Sequence, residues 1–155
     1  TYGEEEFVLM TKMDNETIIR RLNNALKEIP TAIGMNNHQG SKASADQSVM
    51  SNVAKVMKEN GLFFLDSRTT VETIGETTME VFGVPTARRN IFLDNEDDEE
   101  KIERQLMKLV KRSEELGAAI GIGHVKPKTL NVLSDQIPKL MKKGYEFEFV
   151  SKMLH

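Results

Sequence analysis

The feature that most constrains this chain is an alternation along its length, in which short apolar runs are separated by longer segments of helical periodicity. Residues 31–35, 62–65, 89–93, 118–123 and 145–150 read as five short strands. The first helical segment carries Ile18, Ile19, Leu22, Ala25, Leu26 and Ile29 at the spacing of one helix face, with Asp14 placed as its N-cap and Pro30 as its stop. Further helices are expected over about 45–60, 71–82, 97–116 and 127–142, the last with an internal Pro138, and Gly61, Gly83 and Gly117 stand where helices end. Short apolar strands joined by helices require crossover connections, which are right-handed and bury a parallel sheet on both faces. The expected fold class is therefore α/β, built from parallel βα repeats, as a single domain over residues 1–155.

Composition excludes several chemistries. The chain has no cysteine, so disulfides, thiolate metal sites and a cysteine nucleophile are ruled out. Any metal would be held by His, Asp, Glu or carbonyl oxygen, a donor set open to zinc and to harder divalent ions. The net charge is -3 and the basic residues are scattered among acids, so no nucleic-acid partner is expected. No apolar run approaches the roughly 20 residues of a membrane span, so no transmembrane segment is expected. The opening Thr1-Tyr2-Gly3-Glu4-Glu5-Glu6 has neither an initiating Met nor a signal layout, and reads as a trimmed start or a start inside a larger domain.

Parallel α/β proteins build their sites at the carboxyl ends of strands, where the βα loops gather. The first strand leads into Met35-Asn36-Asn37-His38-Gln39-Gly40-Ser41, and the second into Asp66, Ser67 and Arg68. The third leads into Asp94 and the fourth into His124, whereas the fifth offers only Val150 and Ser151. Each residue has an ordinary alternative: His38 as a surface or capping side chain, Asp66 and Asp94 as caps, Arg68 as their ion-pair partner. Jointly they describe a mouth of acid, base and metal ligands, with Phe64, Asp66 and Arg68 on one face if the strand stays extended. The third histidine, His155, reads as an unanchored end. Gly121-Ile122-Gly123-His124 completes no phosphate-loop motif, and its glycines signal the close approach of a neighbouring backbone or a ligand. Lys126 and Lys128 read as solvated, and the acids from Asp97 to Glu100 as complements of a helix N-terminus.

Four segments carry a resemblance: NNHQGSKASAD, GLFFLDSRTT, GVPTARRNIFLDNEDD and AAIGIGHVKPKTL. Together, over about residues 14–154, they resemble the divergent polysaccharide deacetylase family, a branch of the NodB-type carbohydrate esterases. The resemblance implies a deformed (β/α) barrel. It also implies that this chain is incomplete at its N-terminus, because the family's domain begins with a strand ending in paired aspartates and further βα units. Five strands also fall short of the seven or eight of a barrel, so the N-terminal remainder of the same domain is an expected partner. The implied function is a metal-dependent, deacetylase-like hydrolase that removes acetyl groups from a polysaccharide or peptidoglycan-like glycan in the bacterial periplasm or envelope. The implied cofactor is a divalent metal ion, with zinc expected.

Residue by residue, His38 matches the metal-ligand histidine of the family's Asn-His-x-Gly-Ser segment, with Asp66 as a second ligand. His124 matches the histidine of Gly-x-Gly-His, the expected catalytic acid, and Asp94 and Arg68 complete the catalytic set. Asn37, Ser41 and Ser67 fall at substrate-binding positions. Two features depart from the superfamily pattern: Ser41, Lys42 and Ala43 stand where its better-studied branch has a second histidine, and the paired aspartates are absent. A catalytically weak or inactive envelope protein that binds a glycan is the alternative. A flavodoxin-like domain binding an anion at the Gly40 loop is a third reading.

Overall fold

The computed structural model describes residues 7–38 and 41–155. Residues 1–6 and 39–40, on which the trimmed-start and anion-binding readings rest, lie outside the described residues. The chain divides into two compact units, Thr1–Arg88 with Leu154–His155, and Arg89–Met153.

The first unit holds a parallel three-stranded sheet in the order β1-β2-β3, made of β1 (Gly34–Asn36), β2 (Phe63–Asp66) and β3 (Thr86–Arg88). Its helices are α1 (Asn15–Glu28), α2 (Ser41–Ser44), α3 (Gln47–Glu59) and α4 (Gly75–Phe82). Asp14 caps α1 by accepting from Thr17 N at 2.8 Å, which satisfies one of the orphan donors of the first turn. Asp46 caps α3 in the same way through Val49 N at 2.9 Å, so the helix expected over about 45–60 begins at Gln47, and α2 is a separate turn of helix ahead of it. Ile18 and Leu22 of α1, Val49, Val53, Val56 and Met57 of α3, Phe64 of β2 and Met79 of α4 form one buried cluster. Each such side chain contributes roughly 1.5–3 kcal/mol relative to exposure. Strand β3 was not foreseen, because Thr86-Ala87-Arg88 follows Pro85 and has one small apolar residue to signal it.

The second unit pairs β4 (Ile91–Phe92) with β5 (Gly121–Ile122) in parallel and packs them with α5 (Glu99–Leu116) and α6 (Pro127–Lys142). Its core is Leu93, Ile102, Leu106, Val132 and Leu140. Asp98 caps α5 by accepting from Lys101 N at 2.9 Å, Glu99 and Glu100 fill the first turn, and Gly117 ends the helix at φ 84°. The close approach expected at the glycines is made by helix side chains. A Cβ on Gly121 would lie 2.6 Å from Leu109 of α5, and one on Gly123 would lie 3.1 Å from Thr129 of α6.

One expected strand is absent. Residues 145–149 form no ladder, and Val150–Lys152 is a single 3-10 turn with Ser151 inside it. Their alternation is real, but a strand needs a neighbour to take its backbone hydrogen bonds, and among the described residues none pairs here. Phe147 and Phe149 are instead exposed, while the Tyr145 hydroxyl donates to Glu114 of α5. The architecture is α/β with parallel sheets. Among the described residues, no helix is long and apolar enough to cross a membrane.

Candidate functional site

Strands β4 and β5 are parallel neighbours, so their carboxyl ends bring Asp94 and His124 together although 30 positions separate them. Asp94 Oδ1 lies 3.0 Å from His124 Nδ1, and Asp94 Oδ2 accepts from His124 N at 2.7 Å and from the Thr129 hydroxyl at 2.9 Å. Asp94 is 2% exposed. Burial pushes its carboxyl up, but the hydrogen bonds from His124 N, the His124 ring and Thr129 outweigh it and hold the carboxyl below its ordinary value. An ionised carboxylate only accepts, so Nδ1 carries the proton and the lone pair falls on Nε2 when the ring is neutral. The Phe92 ring lies 5.6 Å from the His124 ring, tilted by 32°, and the Arg89 guanidinium stands 5.0 Å over the other partner of that pair, Phe92. Asp94 is thus a histidine-orienting group rather than the cap of α5, a role taken by Asp98.

In the first unit the loops after β1 and β2 are joined side by side. Asn37 Oδ1 accepts from Ser67 N at 2.7 Å, and Asn36 Nδ2 donates to Ser67 Oγ at 3.1 Å. The Asn37 Nδ2 atom is buried and has no hydrogen-bond partner among the described residues. Such a donor loses free energy unless an acceptor meets it. Ser41, at the start of α2, donates to the Thr69 carbonyl at 3.2 Å and ties the same two loops. His38 is exposed just past β1.

Asp66 is 1% exposed at the end of β2, and its carboxylate accepts from Arg68 N at 2.8 Å, the Thr73 hydroxyl at 2.8 Å and Glu76 N at 3.3 Å. The chain does not stay extended beyond it. Arg68 lies at φ 47°, in the left-handed region that a non-glycine residue enters at a cost, and the bond to Asp66 holds it there. Phe64, Asp66 and Arg68 therefore do not continue one strand face. Lys128 is exposed, as expected, and also pairs with Asp97 at 3.4 Å.

Sequence reasoning missed Thr129, Thr73 and Asn36, each a polar partner of a residue it had singled out. It also read His155 as unanchored, whereas His155 is bonded to Thr86 by both backbone groups and to Glu76 by its ring. Nothing local in the sequence marks these contacts, because every one is made across a strand register or a helix start.

Parallel sheets with polar residues at the strand ends, and a carboxylate bonded to a histidine, define a protein of the α/β class with polar side chains gathered in its βα loops. The match to a family model over residues 2–154 is more specific: the chain belongs to the divergent polysaccharide deacetylase family. It is 39% identical over 113 residues to an uncharacterized protein of Haemophilus influenzae, covering 73% of this chain and 40% of that protein. It is 32% identical over 136 residues to the uncharacterized Escherichia coli protein YibQ, covering 88% of this chain and 43% of YibQ. The chain thus spans less than half the length of these curated relatives. A crystal structure of an uncharacterized Agrobacterium tumefaciens C58 protein shares the fold at a TM-score of 0.92 and 24% identity, over 95% of this chain and 60% of that one.

Proposed function

We propose that the protein is a deacetylase-like hydrolase of a polysaccharide or peptidoglycan-like glycan, with His124 handling the proton of the leaving group. The observation that carries this reading is the Asp94–His124 pair. Asp94 holds the ring through Nδ1, so Nε2–H of the protonated ring can be given to the departing amine or alcohol as the acyl bond breaks. The His124 side chain is 39% exposed, which gives that nitrogen access to a substrate. The neighbouring Phe92 ring offers an apolar face to a sugar.

A divalent ion, zinc in this proposal, would polarise the acyl oxygen and lower the pKa of a bound water. The proposal takes His38, exposed just past β1, as one of its ligands, on the family resemblance. Asp66, with three donors on its two oxygens, fits as the organiser of its loop. Catalytic zinc takes three protein ligands, so the proposal assigns the others to the length of the relatives that this chain does not span. Closure of a (β/α) barrel and a place in the bacterial envelope belong to the same proposal.

The test is zinc-dependent acetate release from acetylated chitooligosaccharides and from O-acetylated peptidoglycan, for the protein and its His124→Ala variant. The 155-residue chain alone is expected to be inactive or weakly active, and robust turnover by it would refute the assignment of ligands elsewhere. Zinc-loaded protein that binds these glycans but releases no acetate would replace hydrolysis with glycan binding. That second reading is favoured by Ser41, Lys42 and Ala43 at the place of the superfamily's second histidine.

A further inference from the structure

We infer that Glu76, Glu80 and His155 form a divalent-cation site suited to zinc, built from residues that the proposed chemistry does not use. Glu76 and Glu80 lie one turn apart on α4, so their carboxylates share a face. His155 is set beside them by a reciprocal pair of backbone bonds with β3: Thr86 N donates to His155 O at 3.0 Å, and His155 N donates to Thr86 O at 2.9 Å. The imidazole Nε2 stands 3.1 Å from Glu76 Oε1 and 3.4 Å from Glu80 Oε1. One ligand atom from each residue lies within 4.8 Å of the other two.

These spacings suit an ion. A tetrahedral zinc with bonds of about 2.0–2.1 Å holds its ligand atoms roughly 3.3–3.5 Å apart; the imidazole already stands at that distance from Glu80 and a little inside it from Glu76. The second Glu76 oxygen, Oε2, is 3.4 Å from Arg88 Nη1, a contact that turns Oε1 toward His155 and Glu80. Outer hydrogen bonds of this kind orient ligands at metal centres. With His155 neutral, the two carboxylates outweigh Arg88 and leave the group negative, which favours a cation. One nitrogen with two carboxylate oxygens selects zinc or a similar transition ion over calcium and magnesium, which prefer all-oxygen shells. The Glu80 and His155 side chains are about half exposed, so water can complete the coordination. The ion would pin residue 155 to α4.

The experiment is calorimetric titration of the metal-free chain with zinc chloride, together with nitrogen NMR of the His155 ring. The expected result is one equivalent of zinc that shifts the His155 Nε2 resonance. Binding should persist in His38→Ala and weaken by at least about tenfold in both Glu80→Gln and His155→Ala. Glu80 is exposed on its helix, so its variant keeps the fold and decides the matter should His155→Ala not. No zinc binding by the unmodified chain would overturn the inference. So would zinc affinity unchanged in Glu80→Gln, or an equivalent lost in His38→Ala alone.

Discussion

Replacing Asp94 with Asn changes one atom and should move a proton elsewhere. In the native site both carboxylate oxygens accept, from His124 N and Thr129 on one side and His124 Nδ1 on the other. An amide has one acceptor and one donor end. The backbone N–H of His124 cannot turn away, so the amide oxygen must take the Oδ2 position and the NH2 must face Nδ1. Nδ1 then accepts, and the neutral ring carries its proton on Nε2. Two bonds survive but lose charge assistance, roughly 1 kcal/mol each, and part of that is returned because no buried charge remains to be desolvated. The expected loss of stability is about 1–2 kcal/mol by urea denaturation, while whatever glycan deacetylation the native protein supports should fall about 10³–10⁴-fold, as in catalytic triads whose histidine holds the wrong tautomer. Long-range nitrogen–proton spectra at a pH of about 8, above the ordinary imidazole range, should show Nδ1–H in the native protein and Nε2–H in the variant. An unchanged tautomer in Asp94→Asn, or Nε2–H in the native protein, would refute the account of the dyad.

The pH dependence has a definite sign. The Asp94 carboxyl is held below its usual 3.8, so its contribution is present above that value and is lost as pH falls through the lower folded value. The native and Asp94→Asn proteins should therefore converge in stability on acidification below about pH 4, and a gap that widens there would contradict the assignment. Arg68→Gly removes a left-handed non-glycine residue, so stability should hold or rise by about 0.5–1 kcal/mol. A loss above about 1 kcal/mol on denaturation would show that the side chain outweighs its backbone strain. Gly75→Ala places a Cβ 2.6 Å from Asp66 Oδ2, an oxygen fixed by its own donors. It should cost about 1–2 kcal/mol even after the better helix propensity of Ala, and a thermal midpoint at or above the native one would refute that.

Much of the local punctuation was legible. Asp14, Pro30, Gly83 and Gly117 act where the sequence puts them, because caps and terminators depend on a few adjacent residues. Placing Asp94 and His124 at strand ends was legible for a related reason, since a strand end is a local event. That the two would bond was not, because it depends on Phe92 lying opposite Ile122 in the ladder. Residues 145–150 show the converse, with a strand pattern and no partner to realise it. Asp66 was legible as a polar strand end, but its three donors come from a turn whose geometry is set by Arg68 at positive φ.

The backbone pairing of His155 with Thr86 makes the first unit discontinuous in sequence, with the whole second unit inserted before its last two residues. During synthesis the outer edge of β3 waits for a segment made more than sixty positions later. An unpaired strand edge is a template for wrong partners, so the exposed interval is set by the time needed to translate the second unit. A translational pause within the second unit would therefore lengthen the interval in which the outer margin of β3 stays open.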